Sequence, residues 1–346
     1  MIKVLFPTSA NSSLHAVRGV GRYTQQLTAA LQATGEVEVL EVGSKQRPDI
    51  IHYPFFDLFF PTLPLHFLAK TVVTIHDVIP LVFPDHYPVG KRGKLNFIRQ
   101  KLALKFVSAI ITDSKHSKID IETYLGLKEA QISVISLAPA SEFVPQPDKV
   151  IESVRRQFNL PKQYMLYVGD INYNKNLPQL IKSLKYLPWN VQLVCVGKSF
   201  YPHDIPEWQV IANQIALSNV EKRVKFITNL QVDQFAELSA MYAGAICYVQ
   251  PSIYEGFGLP VLEAMACKSP VVCAQISSLI EVTGGEYAFY AKPTAEGIAE
   301  AVERVLGLSQ TARKSWLQAA YAWSQTFTWA KTAEQTLAVY QKVLGK

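Results

Sequence analysis

A chain of 346 residues, 49% apolar and 18% charged, is long enough for two α/β domains and too apolar for a disordered segment. Its net charge of +6 suits an anionic ligand or an acidic membrane surface, and the lack of basic stretches interleaved with stacking aromatics points away from nucleic acid. No apolar run approaches the ~20 residues of a membrane span, and Cys195, Cys247, Cys267 and Cys273 sit in apolar contexts without C-x-x-C spacing, as buried small hydrophobes in a reducing cytoplasm.

The opening MIKVLFPTSA reads as a buried strand running into a loop, not as a secretory leader. Strand-length apolar runs follow at 37–42, 49–53, 71–75, 109–112 and 132–135, and again at 164–168, 191–196, 224–227, 245–249, 271–273 and 288–290. Helical patterns separate them, which predicts parallel sheets with helices on both faces. The segment 137–162 holds Pro139, Pro145, Pro147 and Pro161 and is the expected boundary between two Rossmann-like halves. Trp329, Ala333, Leu337, Tyr340 and Leu344 recur at helical spacing, a last helix expected to tie the second half back to the first.

Five stretches carry chemistry. The first is Gly19-Val20-Gly21, read as a loop that opens a helix over 23–33; its amides and the helix dipole suit a phosphate. Glu41 lies 20 residues after Gly21, so an NAD(P)-dependent dehydrogenase is a rival reading, although Thr24 replaces the third glycine of that fingerprint. The second, His76-Asp77, ends a buried strand, where residues of an open α/β sheet face a ligand. The third is a helix carrying Lys91, Arg92, Lys94, Arg99, Lys101 and Lys105 beside an apolar stripe of Leu95, Ile98, Leu102 and Phe106. Either that stripe packs on its own sheet with the charges solvated, or the basic face meets anionic lipid.

The fourth stretch is the loop 169–176, which places Lys175 just before a helix start. A cation there opposes the helix dipole unless an anion is bound, and a diphosphate would satisfy both. The fifth is the segment from Pro251 to Glu281, with Glu255 and Glu263 around Gly256-Phe257-Gly258-Leu259-Pro260. A strand, a glycine turn and a helix over 261–267 would hold two hydroxyl-bearing parts of one ligand. Neither an Asp-x-Asp pair nor metal-ligand spacing occurs, so the charge of a leaving diphosphate would be met by Lys175 and backbone amides, with no metal and no cofactor.

Together GVGRYTQQL, TIHDVIPLVFP, YVGDINYNKNLPQLIKSL, PSIYEGFGLPVLEAMACKSPVV with SSLIEV, and FTWAKTAEQTLAVYQKVL resemble retaining glycosyltransferase family 4, in its bacterial mannosyltransferase-like branch. The resemblance implies the GT-B fold: an acceptor-side domain over 1–140 and a nucleotide-sugar domain over 141–327 facing a cleft, with a terminal helix over 328–346 returning to the first. It implies that Glu255 contacts donor-sugar hydroxyls, that Glu263 holds the ribose, and that Lys175 neutralises the diphosphate opposite the amides of Gly19, Val20 and Gly21. His76 would line the sugar site, Phe257, Gly258 and Leu259 would offer backbone N–H groups, and Gly197 and Lys198 would neighbour the base. The activity implied is transfer of a hexose from GDP-mannose or a UDP-hexose to a glycan or lipid-linked hydroxyl at the cytoplasmic face of a membrane; a non-catalytic binding protein of the same fold is the alternative. Asp170 and Asn174 stand where many members carry an Arg, with Lys198 or Arg18 as substitutes, and Thr228-Asn229 stands where glycine is usual.

Overall fold

The computed structural model describes residues 1–7, 19–231 and 234–346, so Arg18 and most of the loop before Gly19 lie outside the described residues. All twelve apolar runs are strands: β1 Ile2–Leu5, β2 Val37–Leu40, β3 Ile50–Tyr53, β4 Lys70–Thr74, β5 Ala109–Thr112, β6 Ile132–Val134, β7 Tyr164–Val168, β8 Gln192–Val196, β9 Val224–Ile227, β10 Cys247–Gln250, β11 Val271–Ala274 and β12 Phe289–Ala291. They form two six-stranded sheets, in the orders β2-β1-β3-β4-β5-β6 and β12-β11-β10-β7-β8-β9. Every pairing is parallel. Strands such as β3, β5 and β10 are buried along their whole length because helices cover both faces.

The chain divides into two compact units, 1–138 with 327–346, and 139–326. In the first, the core gathers Ile51, Val73, Ile75, Leu104, Ile110 and Ile121 around the sheet. The helix Trp329–Leu344 packs on the helix Gly19–Ala33 and on β4 and β5. Its Tyr340 hydroxyl meets His52 Nδ1 at 2.6 Å, and His52 Nε2 meets Thr74 Oγ1 at 2.8 Å. Burial, with the charge of His76 adding to it, pushes the His52 pKa down to about 3, so this ring is a neutral structural link.

Two expectations need correction. Gly19, Val20 and Gly21 are not a loop: they lie within the helix Gly19–Ala33.

The second correction concerns the helix Lys91–Leu104. The stripe does not pack on the sheet: Leu95, Ile98, Leu102 and Phe106 are 69%, 66%, 46% and 61% exposed. The face turned inward carries Gln100, Ala103 and Leu104. Gln100 is fully buried because its amide accepts from Thr62 and Leu63 N–H and donates to the Leu63 carbonyl. Asn96 binds the Phe59 carbonyl at 2.9 Å on the same side. Polar side chains that satisfy a neighbouring loop chose the packed face, leaving the aliphatic stripe outside.

Candidate functional site

In the second unit the chain runs β7 to β8 to β9 on one side, then restarts with β10 on the other side of β7. Two loops therefore diverge at the C-terminal ends of β7 and β10, the switch point where open α/β sheets bind ligands. Gly169 and Gly197 let the ends of β7 and β8 come close: a Cβ on Gly197 would lie 2.1 Å from the Gly169 carbonyl oxygen. Asn174 donates to the Tyr254 carbonyl, and Asn176 to the carbonyls of Pro251 and Pro293. These amides bind the two loops together. The Asn174 side chain is thereby spent on loop geometry.

The loops bring Lys175 and Glu255 into contact across 80 residues of sequence. Lys175 Nζ lies 2.7 and 2.9 Å from the two Glu255 carboxylate oxygens. Gln250 Nε2 and Ser252 Oγ each donate to Glu255 Oε1 at 2.6 Å, and Gln250 Oε1 accepts from the Tyr248 hydroxyl. Glu255 is 6% exposed, so it is not the solvent-facing acid that its position near a helix start would allow. A carboxylate buried this far needs such partners. The anion expected opposite Lys175 is thus supplied by the protein. An ammonium has three donors, two of which Glu255 takes, leaving one for a ligand.

The turn after Glu255 is held from below. Glu255 N–H donates to Ser277 Oγ, and Ser278 Oγ donates to the carbonyls of Glu255 and Phe257. Gly258 has φ +103°, a backbone conformation that favours glycine. With Gly258 as cap and Pro260 in the first turn, the helix Leu259–Ala266 begins two residues earlier than the pattern suggested. Leu259 N–H opens that helix and has no intrahelical partner. Glu263, 4% exposed, accepts from the Tyr242 hydroxyl at 2.9 Å. Lys198 is exposed at the end of β8. Gln250, Ser252, Ser277, Ser278 and Tyr242 were not found from sequence. Gln250 and Ser252 precede Glu255 on a strand end and could have been flagged; Tyr242 comes from a remote helix and gave no signal.

In the first unit, His76 follows β4 and Asp113 follows β5, adjacent parallel strands. His76 Nδ1 lies 2.7 Å from Asp113 Oδ2, and Nε2 lies 3.1 Å from the Pro54 carbonyl oxygen. Tyr23 sets its ring edge-on to the imidazole. Burial opposes the charged ring, but Asp113, Asp77 and the Pro54 carbonyl outweigh it, and the His76 pKa is raised. Among the described residues, no group of three His, Cys, Asp or Glu could hold a metal ion.

Two doubly wound, all-parallel six-stranded sheets are the architecture of the GT-B fold. The group 1 glycosyl transferases match residues 150–323, and glycosyltransferase family 4 matches residues 38–138; the chain belongs to the group 1 glycosyl transferases. O-antigen chain mannosyltransferase B of Escherichia coli is 28% identical over 287 residues, covering 80% of this chain and 71% of the relative. Serotype-specific mannosyltransferase WbdA of Escherichia coli is 27% identical over 98% of this chain, which spans only 41% of that protein's length. The crystal structure of Anabaena HepE in complex with UDP and glucose matches with a TM-score of 0.76 at 17% identity, covering 99% of this chain and 100% of that one.

Proposed function

We propose that this protein is a retaining, metal-independent hexosyltransferase that uses a nucleoside diphosphate sugar. The observation that carries the reading is the Lys175–Glu255 pair at the switch point of the second sheet. Lys175 directs its remaining donor at the diphosphate, and Glu255 Oε2, with one donor to Oε1's three, accepts from a sugar hydroxyl. Glu263 takes the ribose, Gly197 and Lys198 neighbour the base, and the amides of Phe257 to Leu259 serve sugar and phosphate. In the first unit, His76 and the amides of Gly19, Val20 and Gly21 serve the sugar and the diphosphate. A carboxylate shared among Lys175, Gln250 and Ser252 is a poor nucleophile, which favours front-face substitution over double displacement. The acceptor oxygen bonds to the anomeric carbon, the bond to the diphosphate oxygen breaks, and the acceptor proton passes to the leaving phosphate.

GDP-mannose is the favoured donor because the two relatives named above are mannosyltransferases; a UDP-hexose is the second choice, because HepE holds UDP. A thermal-shift panel of GDP, UDP, ADP, dTDP and NAD(P), each with Mg²⁺ or with EDTA, tests this. One nucleoside diphosphate should raise the melting temperature by mass action, and EDTA should leave that shift intact. A shift that vanishes with EDTA would overturn metal independence, and one seen with NAD(P) alone would overturn the transferase reading.

The acceptor is a glycan or lipid-linked hydroxyl presented at the cytoplasmic face of a membrane, where the protein sits peripherally. Support comes from the helix Lys91–Leu104, whose outward stripe is apolar and which carries five cations, with a sixth, Lys105, at its C-cap and no acidic residue between Asp85 and Asp113. Each cation near an anionic surface contributes about 1 kcal/mol. Co-sedimentation with vesicles containing anionic lipid is expected. It should weaken when Arg92, Lys94 and Arg99 become Gln, and also when Leu95, Ile98 and Leu102 become Ser. Equal sedimentation of wild type and both variants would rule the surface out.

A further inference from the structure

We infer that Asp113 is a positioning residue that holds His76 with a proton on each ring nitrogen, so that His76 acts as a cation and not as a base. The hydrogen-bond geometry requires this. A backbone carbonyl only accepts, so His76 Nε2, 3.1 Å from Pro54 O, carries a proton. Nδ1 faces Asp113 Oδ2 at 2.7 Å, and between a carboxyl and an imidazole the proton rests on the more basic imidazole. Asp113 is 3% exposed, and its other oxygen, Oδ1, has no hydrogen-bond partner among the described residues. A buried carboxylate this poorly solvated leans on the imidazolium beside it.

The other groups that face His76 agree with this assignment. Asp77 adds a second negative charge. Tyr23, buried and hydrogen-bonded to Thr74, is held neutral with its pKa raised by burial and by Asp113. His52 is neutral, and the His76 charge helps keep it so. None of these groups competes for the protons of the ring.

A His–Asp pair otherwise reads as a general base with its orienting acid. Such a base needs a lone pair on Nε2, and here that nitrogen donates to Pro54. The acceptor's proton must then go to a group other than His76, which is what front-face substitution asks for. The imidazole is 21% exposed, and through that surface it offers a ligand charge and ring edge.

The protonation claim stands on geometry alone; its kinetic consequence rests on the transferase reading above. Because the folded pKa is raised, the ion pair's contribution is complete below the unfolded value near 6.5 and is lost as pH rises through the folded value. The test is an NMR titration of the histidine ring nitrogens in the full chain, with His76→Gln identifying the resonances. In wild type both His76 nitrogens should stay protonated above pH 6.5. In Asp113→Asn, burial is no longer opposed by that charge, and the ring should become neutral below about pH 6.5. At a pH where wild-type His76 is protonated and the variant's ring is neutral, that variant should lose at least about tenfold in kcat with the donor KM nearly unchanged, and the alkaline fall of its kcat should begin at lower pH. A wild-type His76 that titrates at or below 6.5, or an Asp113→Asn titration matching wild type, would overturn the inference. The wild-type titration decides alone if the variant does not fold. It also stands if no transfer is detected, in which case the transferase reading fails separately.

Discussion

Glu255→Gln is expected to lower turnover by about 10²- to 10³-fold, the loss typical of removing one preorganised electrostatic contact from a reacting centre. The substitution keeps the shape of the side chain but removes its charge, and it sets an amide against donors that now converge on an anion: Lys175 Nζ, Gln250 Nε2 and Ser252 Oγ. Nucleotide binding should change little, because Glu263 and the turn amides remain. Stability should fall as well, by up to about 3 kcal/mol, since an ammonium only 21% exposed loses its partner. These effects can be separated. Adding Lys175→Met removes the orphaned charge and should restore much of the stability while leaving the enzyme inactive. Steady-state rates with the donor identified by thermal shift, alongside urea denaturation, report both quantities. Wild-type turnover in Glu255→Gln would remove this pair from the mechanism.

Gly197→Ala is expected to destabilise the second unit by about 3 kcal/mol or more, a drop on the order of 10 °C in melting temperature. The added methyl would sit 2.1 Å from a backbone oxygen, that of Gly169, and 3.1 Å from the Phe200 ring. A flexible side chain could yield to such a contact. Paired strand ends cannot, since Gly169 N–H is bound to Val196 O and Gly197 N–H to Ile227 O. Gly90→Ala is the control: nothing lies within 4 Å of its Cβ position, so it should stay within about 0.5 kcal/mol of wild type. The family resemblance assigns Gly197 to the donor's base. If ligand contact were its whole role, Gly197→Ala would bind nucleotide poorly yet melt normally. Scanning calorimetry without ligand distinguishes the two.

Several site residues are legible in the amino-acid sequence because each announces itself locally. Gly258-Leu259-Pro260 marks a turn into a helix, and the helix follows. Glu255 and Glu263 stand out by their setting in an apolar, glycine-rich run. Lys175 stands out as a cation at a helix start. The pairing of Lys175 with Glu255 was not readable, because no local rule relates a loop after β7 to one after β10. Only the order of strands in the sheet makes them neighbours. Asp113 was missed for the same reason: it matters through His76, which follows the adjacent strand.

The amino-acid sequence by itself determined the twelve strands, since fully buried parallel strands are written as short β-branched and aromatic runs with helices between them. Prolines interrupt those runs over 137–162, the expected boundary, and the two compact units part after residue 138. Tertiary structure alone decided which face of the helix Lys91–Leu104 turns inward. Hydropathy favours Leu95, Ile98 and Leu102, but Gln100 and Asn96 find carbonyl and amide partners in the 59–63 loop. A buried polar group with its hydrogen bonds made costs little, and one left without them costs a great deal. Whether such partners exist depends on a segment nearly forty residues away, which periodicity within one helix cannot register.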